Sequence, residues 1–178
     1  MPKMEFPKIE HMPSFIDGLK NGYRLDNEEP RSFAEIQLIE NDPELFFKDF
    51  VQRKTTLPPS YKNSEGEPIQ RSEFWCIEEN EFIGRLNIRH ALNENLLVTA
   101  GNLGFEVVPK YQRKGYASFM LNFGLDFFRK NTDADRVLLI TDDTNFRTVK
   151  LLEKHHGILE DKIQRPDNRL ARRYWISL

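Results

Sequence analysis

The chain of 178 residues is 39% hydrophobic and 30% charged and has 14 phenylalanines, so it can bury a core and does not have the composition of a disordered protein. Its 26 basic and 28 acidic residues give a formal net charge of -2. That balance argues against a dedicated nucleic-acid-binding protein, whose phosphate contacts need a surplus of basic side chains. The single cysteine, Cys76, excludes an intramolecular disulfide framework and a multi-cysteine zinc site.

The sequence shows no segment that would direct the chain into or across a membrane. Its strongest apolar run, residues 137–140, is far shorter than the roughly 20 residues that cross a bilayer. The first five residues lack the apolar centre of a secretory signal. We therefore expect a cytoplasmic protein without membrane or nucleic-acid partners, with residues 1–178 in a single domain.

The first third of the sequence predicts short elements separated by breakers. Residues 4–9 form at best an edge strand, because the proline within them has no N–H for a sheet ladder. Ser14 is expected to cap a short helix, and Asp42 caps a second helix that opens at Pro43. Residues 55–70 contain three prolines and few apolar residues, which predicts a loop near a site.

From residue 74 onward, hydrophobic patterning indicates regular strands and helices. Residues 136–140 are continuously apolar, as is typical of a strand covered on both faces. Residues 115–130 carry apolar side chains at helical spacing, and residues 91–101 are predicted to form a loop. Strands are predicted at residues 74–77, 82–90, 103–108, 136–140, 158–163 and 170–176, and helices at residues 115–130 and 144–156.

The segment that carries chemistry is residues 107–118, where a strand stops at a proline and a basic turn leads into a helix. Backbone N–H groups at a helix start, together with the positive end of the helix dipole, can bind an anion. Gly115 lacks a Cβ, so phosphate oxygens can approach the main chain there. Lys110, Arg113 and Lys114 add positive charge. The turn is therefore a candidate phosphate site.

The same segment has a second interpretation, a solvated basic turn before an ordinary amphipathic helix. The chain contains neither G-x-x-x-x-G-K-[ST] nor G-x-G-x-x-G, so two familiar phosphate motifs do not apply. Considered alone, the segment supports both interpretations about equally.

Residues 112–117, with the sequence QRKGYA, resemble the Q/R-x-x-G-x-G/A signature with which GNAT N-acetyltransferases hold the pyrophosphate of acetyl-CoA. Residues 104–109 resemble the strand that precedes this signature, and residues 145–157 resemble a later helix of the family. Residues 88–93 and 173–176 are similar to a largely uncharacterised bacterial subgroup of predicted acetyltransferases. The resemblance covers the chain from about residue 74 to its end.

The resemblance implies an α+β fold with α/β/α layers, the GNAT fold. Its central sheet is expected to be mixed but mostly antiparallel, with six to seven strands that splay at strands 4 and 5 and helices on both faces. Residues 73–178 would form the acetyl-CoA-binding core, and residues 1–72 a variable N-terminal strand, helices and loop.

The resemblance also implies an acetyl-CoA-dependent N-acetyltransferase. Acetyl-CoA would be the co-substrate, no metal would be needed, and a primary amine of a small molecule or peptide would attack the thioester directly in a ternary complex. The alternative is a non-catalytic sensor or interaction module that binds CoA or acyl-CoA. The last strands are compatible with a monomer or a homodimer.

By the same resemblance, backbone amides at the helix start hold the pyrophosphate. The main chain of Val107 and Val108 would pair with the pantetheine arm and direct one amide at the thioester oxygen. Asn145 would bond to the pantetheine or steady the adjacent loop. The residues expected to bind the cofactor are Val107, Val108, Gln112, Arg113, Lys114, Gly115, Tyr116, Ala117, Ser118, Asn145 and Thr148.

The catalytic groups are less well specified. Leu152 occupies the position where many family members carry a tyrosine that protonates the departing thiolate, so the sequence assigns no general acid. Tyr111 and Tyr116 are expected to be packing or surface residues. Glu106, on the strand beside the expected thioester site, is the first candidate for the general base; its alternative role is that of a solvated or ion-paired strand residue.

His90 is a weaker candidate for the base, because it alternates with apolar strand residues and is more simply a hydrogen-bonded structural histidine. Arg89 and Asn93 would shape the acceptor pocket or only pin the loop that follows them. Acceptor choice is expected to depend on residues 19–70 and 91–102, which carry no recognisable motif.

Overall fold

The computed structural model describes residues 1–25, 29–55, 62–63 and 66–178; residues 56–61 and 64–65 of the predicted loop lie outside this part. The chain forms two compact units. The first comprises Met1–Thr56, Ser72–Asn87 and Phe105–Leu121, and the second comprises Leu57–Arg71, Ile88–Gly104 and Asn122–Leu178. The assignment of the whole chain to one domain stays a prediction.

The described part of the chain contains seven strands and six α-helices. The strands are β1 (Lys3–Glu5), β2 (Arg71–Glu78), β3 (Glu81–Arg89), β4 (Leu103–Val107), β5 (Arg136–Asp142), β6 (Ile158–Gln164) and β7 (Leu170–Ser177). The helices are α1 (Met12–Lys20), α2 (Phe33–Asn41), α3 (Pro43–Thr55), α4 (Glu94–Thr99), α5 (Tyr116–Asn131) and α6 (Phe146–Lys154). No α-helix of this described part is long and apolar enough to cross a bilayer.

The strands belong to two sheets, ordered β1-β2-β3-β4 and β5-β7-β6. β1 runs antiparallel to β2 as an edge strand, and β7 runs antiparallel to both β5 and β6. β4 and β5 therefore end different sheets, which agrees with the predicted separation of strands 4 and 5. The α+β class is confirmed, and the strands and helices predicted after residue 74 are all present; the structure adds the helix α4 between β3 and β4.

Aromatic side chains fill the core of the first unit. The Phe15 ring of α1 stacks on Trp75 of β2 with centroids 5.1 Å apart, and Phe82 of β3 meets Trp75 edge-on at 4.8 Å. Phe46 and Phe50 of α3 also lie against Phe15. Burial of these rings holds α1 and α3 against β2 and β3, because each buried aromatic ring removes a large apolar area from water.

Two helices were not predicted, although each carries a capping signal. α2 begins with a capping box: the Ser32 hydroxyl accepts the Glu35 N–H, and the Glu35 carboxylate accepts the Ser32 N–H at 2.8 Å. α4 lies in the predicted loop at residues 91–101, and the Asn93 side chain caps it by accepting the Leu96 N–H at 2.9 Å.

The predicted start of α1 at Ser14 is wrong. The helix begins at Met12, and Pro13 occupies its first turn, where a missing N–H costs nothing. The Ser14 hydroxyl instead donates to the His11 carbonyl oxygen at 3.0 Å and accepts the Phe82 N–H at 2.9 Å. The predicted cap at Asp42 is confirmed by a 2.9 Å hydrogen bond from Leu45 N–H.

A buried asparagine connects two strands within the second unit. The Asn102 backbone carbonyl accepts the Arg89 N–H at the end of β3, and the Asn102 N–H donates to the Leu138 carbonyl oxygen of β5. Its side chain accepts the Leu138 N–H at 2.8 Å and donates to the Arg89 carbonyl oxygen at 3.2 Å. Asn102 is 5% exposed, and these bonds satisfy its amide on both sides. The position at which β4 begins is thereby fixed.

Candidate phosphate turn and acyl-transfer site

The turn after β4 is a compact, internally bonded structure. Residues Pro109–Tyr111 form one 3-10 turn, in which the Tyr111 N–H donates to the Val108 carbonyl oxygen at 2.9 Å. The Gln112 side-chain amide donates to the Val107 carbonyl oxygen at 3.2 Å. Gln112 thus fastens the turn to the end of β4.

Two residues with positive φ lead the chain into α5: Arg113 at 66° and Gly115 at 91°. In the part of the chain that the structure describes, the N–H groups of residues 113–117 donate to no backbone carbonyl; the first amide of α5 to do so is that of Phe119, bonded to Gly115. A Cβ placed on Gly115 would meet no atom within 4 Å. The helix start therefore has amides that no described backbone carbonyl accepts, beside open space, as an anion site requires.

The three cations of the turn have different surroundings. The Lys110 ammonium pairs with Asp17 of α1 at 2.6 Å, and this hydrogen bond raises the pKa of Lys110. The Lys114 ammonium lies 5.5 Å from the centre of the Tyr111 ring. Arg113 and Lys114 form no ion pair with the described residues, so their charges are available to an anion, whereas that of Lys110 is already paired.

Tyr116 and Tyr111 anchor the turn through carboxylates. The Tyr116 hydroxyl donates to Glu78 of β2, and this bond raises the pKa of Tyr116 to about 12. The Tyr111 hydroxyl donates to Glu81 of β3 at 3.1 Å. Both tyrosines are half-buried. Ala117 and Ser118 lie half-buried in the first turn of α5.

The two residues predicted to pair with the pantetheine arm, Val107 and Val108, differ in their backbone hydrogen bonds. The Val108 N–H donates to Ile83 of β3 at 2.9 Å, and the Val108 carbonyl accepts the Tyr111 N–H, so both groups are already bonded. Successive amides of a strand point in opposite directions, which directs the Val107 N–H away from β3. Because β4 is the last strand of its sheet, this outer edge can accept an extended ligand.

The second unit contains the other residues assigned to the cofactor. Asn145 is exposed and caps α6 by accepting the Thr148 N–H at 3.2 Å. Its expected role toward the pantetheine or the adjacent loop stays a prediction. Thr148 is half-buried, whereas Leu152 is completely buried. Leu152 is therefore a core residue of this unit.

Glu106 lies at the end of an ion-pair network in the first unit. Arg85 Nε donates to its carboxylate at 2.6 Å, and the Tyr23 hydroxyl lies 3.4 Å from it. Arg85 also pairs with Glu73 at 3.2 Å, and Glu73 accepts a hydrogen bond from Asn87 at 3.1 Å. The geometry matches the ion-paired alternative for Glu106; its role as base stays a prediction.

Sequence analysis missed Glu73, Arg85 and Asn87. All three are buried: they are 1%, 3% and 2% exposed. Their signal is the presence of charged and amide side chains within two strands, β2 and β3, that are otherwise apolar. A buried charge requires a partner, so these residues were also candidates for a network.

The remaining candidates have local structural contacts. The His90 ring meets Phe127 edge-on at 5.2 Å, and burial lowers the pKa of His90. Arg89 donates to the Gly101 carbonyl oxygen at 3.2 Å, and Asn93 caps α4. These bonds pin the segment between β3 and β4, as the alternative interpretation held. Their role toward an acceptor stays a prediction.

One cluster in the described residues has the composition of a metal site. Glu5, Glu10 and His11 each place a potential ligand atom within 4.8 Å of the others. However, Lys3 and Lys8 already pair with Glu5 at 3.2 and 2.8 Å. The cluster is thus an ion-paired group with a buried histidine, His11, which lies 2.7 Å from Glu5.

Comparisons with known proteins agree with this geometry. Residues 24–158 match the model of the acetyltransferase (GNAT) family. No curated protein sequence matches the chain. Three solved structures that resemble it are a chimera of the spermidine N-acetyltransferase SpeG from Vibrio cholerae, an acetyltransferase of Salmonella typhimurium that modifies the N-terminal serine of ribosomal protein L7/L12, and RimL, the ribosomal L7/L12 α-N-protein acetyltransferase, in complex with coenzyme A.

The likeness to these structures is one of fold. The SpeG chimera has 15% identity and a TM-score of 0.63, with 99% of this chain and 95% of that chain covered. The Salmonella enzyme has 13% identity and a TM-score of 0.63 over the same shares. The RimL complex has 13% identity and a TM-score of 0.62, with 99% and 94% covered.

Proposed function

Since the chain belongs to the acetyltransferase (GNAT) family, we propose that it transfers the acetyl group of acetyl-CoA to a primary amine of a small molecule or peptide. The family match confirms the predicted class of enzyme. The single observation that carries the cofactor assignment is the helix start at residues 113–117, whose amides donate to no backbone carbonyl of the described residues and which has open space beside Gly115.

In this proposal the turn holds the pyrophosphate of CoA. The amides would donate to phosphate oxygens, and the positive end of the α5 dipole would add to the attraction. Arg113 and Lys114 supply two positive charges that are not used in ion pairs with described residues. Gly115 keeps the approach to the main chain open. The RimL structure, which contains coenzyme A, supports this choice of ligand.

The outer edge of β4 would receive the pantetheine arm. The Val107 N–H is the amide closest to the turn that points away from β3, so it is the best donor for an extended ligand at this edge. A backbone donor held in a sheet is already oriented, so it can stabilise negative charge on a thioester oxygen without reorganisation.

The amine must lose a proton before it attacks, because an alkylammonium ion has no lone pair. We assign the proton to Glu106, whose carboxylate is 18% exposed and held by Arg85. The amine nitrogen then bonds to the thioester carbon, the carbon–sulfur bond breaks, and CoA leaves as a thiolate. The nitrogen carries one extra proton after the attack and releases it to water, which leaves the neutral amide. A thiol has an ordinary pKa of about 8.5, so water can protonate it without a dedicated acid.

A transfer assay on the purified protein tests the proposal. We expect acetyl-CoA to bind in calorimetry and CoA thiol to appear only when an amine is added. The amine panel includes spermidine and a peptide with an N-terminal serine, the amines named for two of the structural neighbours. Mass spectrometry of the amine then identifies the acetylated product.

The control uses desulfo-CoA, which keeps the phosphates but lacks the thioester. It should compete for binding and give no product. Tight binding of acetyl-CoA without transfer to any amine of a broad panel would contradict the proposal and would favour the alternative, a CoA-binding sensor.

A further inference from the structure

A chain of charged side chains leads from the interior of the first unit to Glu106. Glu73 of β2 has a fully buried side chain, Arg85 of β3 is 3% exposed at its side chain, and Glu106 of β4 is 18% exposed. Glu106 is thus the end of the chain that solvent or a ligand can reach.

Arg85 holds Glu106 with two donors. Its Nε lies 2.6 Å from one carboxylate oxygen and its Nη2 lies 3.3 Å from the other. Two N–H groups in one plane fix both the position and the plane of a carboxylate, which a single ammonium group does not do. The orientation of Glu106 therefore depends on the guanidinium geometry of Arg85.

Glu73 takes the remaining side of the same guanidinium. Arg85 Nη1 lies 3.2 and 3.4 Å from the two carboxylate oxygens of Glu73, and the Asn87 side-chain amide donates to Glu73 at 3.1 Å. Burial opposes the charge of Arg85, but the two carboxylates outweigh this effect and raise the pKa of Arg85 well above its ordinary value. Among the described residues, two carboxylates thus share the positive charge of Arg85.

Other groups of the described chain that meet this network are neutral. The buried Tyr23 hydroxyl, which follows α1, donates to Glu106 at 3.4 Å. Burial, with the nearby Glu106 charge, raises the pKa of Tyr23 well above its ordinary value, so the hydroxyl stays protonated. The charged and titratable groups facing Glu106 are therefore Arg85 from β3, Glu73 from β2 through Arg85, and Tyr23.

We infer that Arg85 and Glu73 are positioning residues for Glu106: Arg85 orients its carboxylate, and Glu73 offsets the Arg85 charge so that Glu106 still attracts a proton. The inference rests on the proposed function, in which Glu106 accepts the proton of the amine. Without Glu73, the full positive charge of Arg85 would act on Glu106 and make it a weaker base. Without the guanidinium geometry, Glu106 would be charged but wrongly oriented.

Substitutions of similar shape separate the two roles. Glu73→Gln removes one negative charge and keeps an acceptor for Arg85, whereas Arg85→Lys keeps the positive charge and removes the paired donors. Tyr23→Phe is a milder change that removes one donor to Glu106. Glu5→Gln is the matched control, because it removes an ion-paired carboxylate of similar exposure, 15%, from the same sheet.

The first measurement follows the carboxyl carbon of Glu106 by NMR in glutamate-labelled protein, with the resonance assigned by its loss in Glu106→Gln. We expect Glu73→Gln to move the midpoint of this titration to lower pH, because the substitution removes a negative charge beside Arg85. Tyr23→Phe should move it slightly upward, and Glu5→Gln should leave it in place. An unchanged midpoint in Glu73→Gln would overturn the role of Glu73, whether or not an acceptor is known.

The second measurement is the pH dependence of transfer to the acceptor found in the panel. Arg85→Lys should lower kcat by about 10- to 100-fold with little change in the KM for acetyl-CoA, and thermal unfolding shows whether the variant is folded. A folded Arg85→Lys with wild-type kcat would overturn the orienting role. If Glu106→Gln leaves the acid limb of the rate profile in place, the base assignment itself fails. If Glu106→Gln abolishes the acid limb but Glu73→Gln does not move it, the inference fails and the base assignment stands.

Discussion

Replacement of Gly115 by alanine tests the phosphate turn most directly. At φ 91°, any residue with a Cβ is strained, and we expect a loss of about 1–2 kcal/mol in the free energy of unfolding. No atom lies within 4 Å of the added Cβ, so no steric clash adds to this loss. The added methyl group would occupy the space that is assigned to the phosphates. Gly115→Ala should therefore reduce the free energy of CoA binding by more than it reduces the free energy of unfolding.

The expected loss of CoA affinity follows from the hydrogen bonds that the amides would donate to the phosphates. A hydrogen bond to a charged group contributes about 1.5–3 kcal/mol. If the methyl group displaces the anion from one of the amides at residues 113–117, the Kd for CoA rises by about 10- to 150-fold. Gly115→Val should act at least as strongly, because its branched side chain fills more of the same space.

Gly22 offers a matched control in the same unit. It has φ 79° in the turn after α1, and a Cβ there also meets no atom within 4 Å. Gly22→Ala should therefore lose similar stability but bind CoA normally. Calorimetric titration measures the CoA affinity of both variants, and urea unfolding measures their free energy of unfolding. Equal CoA affinity in Gly115→Ala and Gly22→Ala would refute the assignment of the turn.

Three further changes test other parts of the description. Leu152→Ala should cost about 2–5 kcal/mol in the free energy of unfolding, because it leaves a cavity at a fully buried site. The folded molecules should keep their transfer rate, because Leu152 donates no proton. The activity per folded molecule measures this. Cys76 should resist a thiol reagent at pH 8 until urea unfolds the protein, because burial raises the pKa of its thiol to about 12. Burial opposes ionisation of Glu5, but hydrogen bonds with Lys8 and His11 outweigh it and lower the pKa of Glu5 from 4.5 to about 2. The lowered pKa means that this stabilisation is present above pH 4.5 and is lost as the pH falls toward 2, so Glu5→Gln should destabilise the protein at pH 7 and much less at pH 2; equal effects at both pH values would contradict this.

Local sequence patterns predicted the elements whose signals lie within a few residues. The strand at β5, the amphipathic helix α5 and the cap at Asp42 depend on neighbouring positions, and the structure has all three. α2 was missed because its apolar pattern is weak, although its capping box was readable at Ser32 and Glu35.

Contacts between distant parts of the sequence could not be predicted in the same way. Glu73 and Glu106 are 33 positions apart and meet through Arg85 only because β2, β3 and β4 are adjacent in one sheet. Likewise, the bond from the Val108 N–H to Ile83 depends on strand register, which the sequence alone did not reveal. The phosphate turn was readable because its amides, charges and glycine are consecutive.

The register of β3 against β4 positions both the proposed base and the proposed pantetheine donor of β4. A substitution of Gly84 tests whether these two roles depend on the same strand. A Cβ on Gly84 would lie 2.2 Å from the Glu106 carbonyl oxygen and 3.0 Å from Val107 Cα, so Gly84→Ala must displace the β4 backbone. Glu106 carries the proposed base and Val107 the proposed pantetheine donor. One displacement should therefore weaken acetyl-CoA binding and lower kcat together, with a loss of about 1–3 kcal/mol in the free energy of unfolding.

Gly115→Ala provides the comparison, because it should weaken CoA binding while the kcat at saturating acetyl-CoA stays near the wild-type value. The two variants are compared by calorimetry and by transfer rates at saturation, after thermal unfolding has shown that each is folded. If a folded Gly84→Ala loses affinity but keeps its kcat, the base and the pantetheine contact are not positioned by the same strand. In that case Glu106 would not be the group that accepts the amine proton, because a carboxylate displaced with its backbone could not retain the geometry of proton transfer.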